Sequence, residues 1–146
     1  MFNLTRWKRF VVWKHTEWDI PYYSASLECN WITDYISNPI FTDKDALVVT
    51  TFWNAFYAEW EFTASDEITI VHHENLNKFN WLFIAAVITA NKWKYSFKVK
   101  AFLNRISNDY VKLPVDWNWD LDRNYMENYI KNILEKNKKK LNCLNS

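Results

Sequence analysis

The strongest pattern in the chain spans residues 46–65. A run of apolar and β-branched residues (Ala46, Leu47, Val48, Val49, Thr50, Thr51) breaks at Trp53-Asn54, resumes through Phe56 and Tyr57, and breaks again near Glu59-Trp60. Two short strands joined by a tight turn are the plainest reading. Residues 20–23 read as a strand running into the small-residue loop Ser24-Ala25-Ser26. Residues 32–36 alternate apolar and polar positions until Ser37-Asn38-Pro39 stops them, because Pro39 has no donor for a ladder. Residues 67–71 form another β-branched run, residues 10–12 suit an edge strand with a basic entrance, and residues 109–115 suit a last short strand closed by Pro114.

The period changes twice from two to three-and-four. Phe79, Leu82, Phe83, Ala86 and Val87 predict a helix with one buried face, capped by Asn75 or Asn77 and ending near Asn91. After the turn at residues 116–122, Tyr125, Met126, Tyr129, Ile130, Ile133, Leu134 and Leu141 form a second helical stripe, with Asp120 or Asp122 as cap. Its cationic end at residues 136–140 suits a helix C-terminus. The order predicts an α/β chain of mixed α+β type: a twisted, mainly antiparallel sheet with hairpins and a packed helix, then a C-terminal spacer-type helix. The division falls at residues 1–116 and 117–146.

Composition alters this picture at the turns. The chain has no glycine and ten tryptophans among 146 residues, whereas average usage predicts roughly ten glycines. Tryptophan stands where punctuation is expected, at Asn30-Trp31, Trp53-Asn54, Glu59-Trp60 and Trp117-Asn118-Trp119-Asp120. Two readings follow: some or all of these positions are decoded as glycine in the source organism, or the chain is naturally aromatic-rich and turns without glycine.

Charge and cysteines narrow the class. A net charge of +1 gives no global field for a polyanion. Cys29 and Cys143 are too few and too distant for a disulfide framework, and suit a reducing cytoplasm. Residues 1–9 lack the apolar core of a signal peptide, and the longest apolar run, residues 81–88, is too short for a bilayer. A soluble, cytoplasmic protein without a membrane partner is expected.

No catalytic constellation, phosphate-binding loop or nucleophile motif is present in the sequence, and no cofactor is implied. His72 and His73 are neighbours on a strand and point to opposite faces, which disfavours a shared metal. Basic and aromatic residues interleave at Lys92, Lys94, Tyr95, Phe97, Lys98, Lys100, Phe102 and Arg105. This is the most nucleic-acid-like stretch; a strand with lysines outward and aromatics inward fits it equally well.

An ordered set of segments resembles the target recognition domain of specificity subunits from type I and related BcgI-like restriction-modification systems. The set is I-P-Y-Y-S-A-S from position 20, N-W-I-T-D-Y-I-S-N-P from 30, T-T-F-W-N-A-F-Y from 50, F-T-A-S-D-E-I from 62, L-N-K-F-N-W-L-F-I-A from 76, K-Y-S-F from 94, K-L-P-V from 112 and N-Y-M-E-N-Y-I from 124. The family pattern has glycine where this chain has Trp31, Trp53, Trp60 and Trp81, and also at Trp18. It often has aromatic-Gly-Arg-Lys where this chain has Phe97-Lys98-Val99-Lys100, so the arginine is missing. A full specificity subunit carries two recognition domains and two spacer helices, against one domain and the start of one helix here.

The resemblance implies a non-catalytic DNA-binding chain that reads half of a split duplex site and docks a methyltransferase subunit, with a restriction subunit and a second copy of the chain as further candidate partners. Lys14, Lys98, Lys100 and Arg105 are the candidates for phosphate, and Tyr23, Ser24, Ser26, Thr50, Thr51 and Asn54 for base edges or sugar. Tyr125, Tyr129, Ile133 and Leu134 are the candidates for partner docking. The rival readings are an aromatic-rich carbohydrate- or protein-interaction module, and a degenerate half-subunit that docks the methyltransferase without reading DNA.

Overall fold

β-branched and small apolar residues favour a pleated surface covered on both faces, and β4 (Ala46–Thr50) is such a strand, with all five residues buried. The computed structural model describes residues 2–6, 17–26, 31–94 and 103–144. In it β4 pairs antiparallel with β5 (Ala55–Ala58) on one side and with β7 (Ile68–His72) on the other. β1 (Asn3–Thr5) adds to the free edge of β7, giving the order β1-β7-β4-β5.

In a second sheet β2 (Glu17–Tyr23) and β3 (Ile32–Ile36) are antiparallel with register shifts, and β6 (Thr63–Ala64) joins β2 in parallel, giving the order β3-β2-β6. The single twisted sheet expected from the sequence is therefore two. The segment between β5 and β6 crosses from one to the other: Asp43 and Phe62 exchange both backbone hydrogen bonds, at 2.8 and 2.9 Å, and residues 63–64 then pair with β2.

α1 (Lys78–Ala90) covers one face of the first sheet. Its capping follows from three asparagines. Asn77 Oδ1 accepts from the N–H groups of Phe79 and Asn80, Asn80 Oδ1 accepts from the Asn77 N–H, and Asn91 forms the C-cap. Under α1, Leu47, Val49, Val71, Ile84, Ala85 and Ile88 form one core cluster, which Met126 completes from the last helix. Ala46, Val48, Phe62, Ala64, Ile68 and Ile70 form a second cluster on the other face of the first sheet. Alternate residues of β4 thus feed two cores.

Residues 92–94 form a 3-10 turn and α2 (Leu103–Ile106) is one helical turn, so the described ends of the basic-aromatic stretch are helical. Tyr95, Phe97, Lys98, Lys100 and Phe102 lie outside the described residues, as does the edge strand expected at residues 10–12. Residues 109–115 are not a strand. Only Val115 makes a bridge, to Leu121, while Val111 and Leu113 pack against the first core cluster. A strand needs a ladder partner, and this segment is held instead by that bridge, by apolar packing and by turn hydrogen bonds such as Asp122 N–H to the Pro114 carbonyl at 3.0 Å. α3 (Arg123–Leu144) starts where Asp122 Oδ1 accepts from the Tyr125 N–H at 2.9 Å.

Candidate nucleic-acid interface and helical docking face

Three loops far apart in sequence meet at one end of the sheets through a chain of backbone contacts. Ser65 donates its N–H to the Tyr23 carbonyl at 2.9 Å, Ser65 Oγ accepts from the Glu67 N–H at 3.2 Å, and the Glu67 carbonyl accepts from the Thr51 N–H at 3.1 Å. The Tyr23–Ser26 loop, the turn at residues 65–67 and the β4–β5 turn therefore form one surface. Ser24 and Ser26 sit partly exposed on it, with Ser24 Oγ accepting from the Ser26 N–H at 3.3 Å. Tyr23 is half-buried, its ring edge-on to Phe56 and Phe62 at 4.8 and 5.3 Å. Burial, and then the neighbouring Tyr35, push its phenol above the ordinary value.

Thr50, Thr51 and Asn54 lie at the same end but are not available to a ligand. They are 1%, 0% and 6% exposed. Thr50 Oγ1 accepts from the N–H groups of Phe52 and Asn54, both at 3.3 Å, and the Thr50 N–H donates to the Asn54 carbonyl at 2.8 Å. These residues build the turn, and reaching a base edge would require opening it. The hydroxyls read as surface groups in the sequence face inward because both sides of β4 are covered.

Arg105 is exposed on α2. Lys14, Lys98 and Lys100 lie outside the described residues. A cation not singled out from the sequence adjoins this end: Arg6 follows β1, and burial lowers its pKa, an effect that the nearby Asp66 and Glu67 carboxylates only partly oppose. The basic run at its start was the available signal; its nearness to Asp66 depends on β1 pairing with β7.

The opposite end is acidic and ionically closed. His72 Nε2 lies 3.0 Å from Asp43 Oδ2, the Tyr57 hydroxyl donates to Asp45 at 2.5 Å, and Lys78 pairs with Glu59 at 2.5 Å. Burial and the bond to Asp45 push the Tyr57 phenol up. His73 instead lies against Phe2, at 5.0 Å between ring centres.

The docking residues form a second surface. On α3, Met126 and Ile130 face inward, whereas Tyr125, Tyr129, Ile133, Leu134 and Leu141 are exposed. Tyr125 and Tyr129 stack at 6.1 Å, and Tyr129 meets Phe83 of α1 edge-on at 5.5 Å. Between the two helices runs an apolar groove lined by Phe83, Val87, Tyr129 and Ile133. Asn80 Nδ2 donates to the Arg123 carbonyl at 2.8 Å, and Asn77 Nδ2 to Glu127 at 2.6 Å, fixing the start of α3 on the cap of α1. Hydrogen bonds from Lys131 and Asn77 hold the Glu127 carboxyl below its ordinary value. From residue 131 to 143 every residue of α3 is exposed.

No protein-family model matches the chain, and no curated protein matches it in sequence. Among solved structures, it is similar to the type I restriction-modification system S subunit from M. genitalium, with a TM-score of 0.59, 18% identity, and coverage of 99% of this chain and 40% of that one. The chain has the specificity-subunit fold. The resemblance seen in scattered sequence segments thus extends to the architecture, and the chain spans about two fifths of that S subunit. In this specificity-subunit fold the described residues include no helix long and apolar enough to cross a membrane, and no cluster of metal-ligating side chains.

Proposed function

We propose that this chain is a DNA-specificity component of a restriction-modification system, a recognition domain over residues 1–116 followed by a helix that docks a methyltransferase subunit. The observation that carries the reading is the specificity-subunit fold across 99% of the chain. Supporting it are a loop end with Ser24 and Ser26 partly exposed beside the half-buried Tyr23, and an exposed aromatic face on a helix whose second half is exposed from residue 131 to 143. Catalysis belongs to partner subunits. Double-stranded DNA is the ligand, read over half of a split site, and Lys14, Lys98, Lys100 and Arg105 supply the phosphate contacts. A second copy of the chain would supply the other half.

Selection from randomised duplex DNA with the neighbouring methyltransferase tests this. A short motif is expected. Four phosphate contacts predict that affinity falls about a hundredfold between roughly 50 and 200 mM salt. A stable complex that selects no motif would refute the DNA-reading half of the proposal and leave a docking remnant.

The docking half has its own prediction. Tyr129→Ala, at a partly exposed aromatic, is expected to weaken methyltransferase binding by about 2 kcal/mol, roughly thirtyfold, as centrally placed interface aromatics do. Calorimetric titration reads it, and unchanged affinity would remove this face from the interface.

A further inference from the structure

Two turns in this fold are built to one plan. In the β4–β5 turn the Thr50 N–H donates to the Asn54 carbonyl at 2.8 Å and the Trp53 N–H to the Thr50 carbonyl at 2.9 Å. In the turn before α3 the Asp116 N–H donates to the Asp120 carbonyl at 2.8 Å and the Trp119 N–H to the Asp116 carbonyl at 3.1 Å. The first residue's side chain repeats the plan. Thr50 Oγ1 accepts from the second and fourth N–H groups that follow it, and so does Asp116 Oδ1, from Asn118 and Asp120. The fourth residue of each turn is left-handed, with φ of 62° at Trp53 and 66° at Trp119. A type I turn closed by a left-handed residue is the common hairpin connection in which that residue is glycine.

Trp31, between the Ser24–Ser26 loop and β3, is the third such tryptophan, with φ of 66°. Asp45, at 51°, is the remaining non-glycine residue with positive φ among the described residues, and aspartate tolerates that region where a bulky ring does not. The side chain agrees with the backbone at Trp119, whose ring is 85% exposed. The Trp31 ring stacks on Phe56 at 4.8 Å, while its indole N–H is buried with no hydrogen-bond partner among the described residues. Trp60, Trp93 and Trp117 also present whole rings to solvent. The ring of Trp53 does fill space, lining an apolar cavity of about 310 Å³ with Leu4, Val49 and Ile88.

We propose that the protein made in the source cell carries glycine at positions 31, 53 and 119. The backbone requires glycine at those three, and the chain has none elsewhere to supply its turns. The exposed Trp119 ring then vanishes, and with it one aromatic face that a carbohydrate- or protein-binding module would use. The inference is independent of the DNA-binding reading.

Fragment mass spectrometry of the chain purified from its source cells tests it, with peptides covering positions 31, 53 and 119. Each peptide is expected to be lighter by one indolylmethyl group per position, and tryptophan at any of the three overturns the proposal. A recombinant Trp119→Gly variant checks the backbone argument without disturbing the core, because that ring is exposed. Its melting temperature is expected to rise by about 3 °C. A melting temperature that stays or falls overturns the claim that the turn calls for glycine.

Discussion

Phe62→Ala is expected to lower the unfolding free energy by about 4 kcal/mol, the cost of deleting a fully enclosed aromatic ring. Phe62 is 0% exposed and stands where the chain leaves the first sheet for the second. Its ring meets Tyr23 of β2 at 5.3 Å and packs among Val48, Ile68 and Ile70 of the first sheet. One side chain therefore joins the strand that carries the candidate DNA loop to the strands that support it. At roughly 3 °C per kcal/mol for a chain of this length, the melting temperature should fall by about 12 °C. Phe62→Leu, which keeps most of the volume, should cost about 1 kcal/mol. Thermal denaturation of both variants checks the pair; equal losses would mean that ring shape, and not volume, matters at the junction.

Asn80→Ala is expected to cost about 3 kcal/mol, although it removes a polar side chain. Asn80 is 1% exposed and makes two bonds with different tasks: its carbonyl oxygen caps α1 by accepting from the Asn77 N–H, and its amide holds the Arg123 carbonyl at the start of α3. Alanine leaves both backbone groups unpaired, each at about 1–3 kcal/mol. Chemical denaturation reads the loss, and methyltransferase binding should weaken with it if α3 is the docking element. Asn80→Asp separates the two tasks, since its carboxylate can still accept from Asn77 but cannot donate to the Arg123 carbonyl. Burial raises the pKa of that new carboxyl in the folded state, so its stabilising protonated form is present at low pH and lost as pH rises. Relative to the parent, this variant should therefore recover stability as pH falls, because the protonated acid regains a donor.

Much of the architecture was legible along the chain. The β4–β5 hairpin, β2, β3, β7 and both long helices follow from β-branched runs, alternation and three-and-four spacing, and the caps at Asn77, Asn91 and Asp122 from residues able to accept or replace helix-end hydrogen bonds. The glycine-like character of positions 31, 53 and 119 was also legible, since turn punctuation is local. The docking stripe was legible as a stripe, but its division was not: Met126 and Ile130 turn inward only because α1 and the first core cluster lie on that side.

The candidate DNA residues show where such reading stops. Ser24 and Ser26 are partly exposed while Thr50 and Thr51, hydroxyl residues at the same end, are buried, as is the amide residue Asn54. The hydroxyl chemistry of the serines and threonines is alike; what differs is whether a neighbouring strand or helix covers the face. Arg6 comes beside Asp66 only because β1 adds to β7, and residues 109–115 have strand-like composition but meet no free sheet edge. By itself the sequence determined the type and approximate ends of β2 to β5, β7, α1 and α3, because periodicity, capping and turn geometry act within a few residues. Tertiary structure alone decided the split into two sheets, the burial of the β4 hydroxyls and the meeting of three loops at one end, because each depends on contacts between segments tens of residues apart that no local preference encodes.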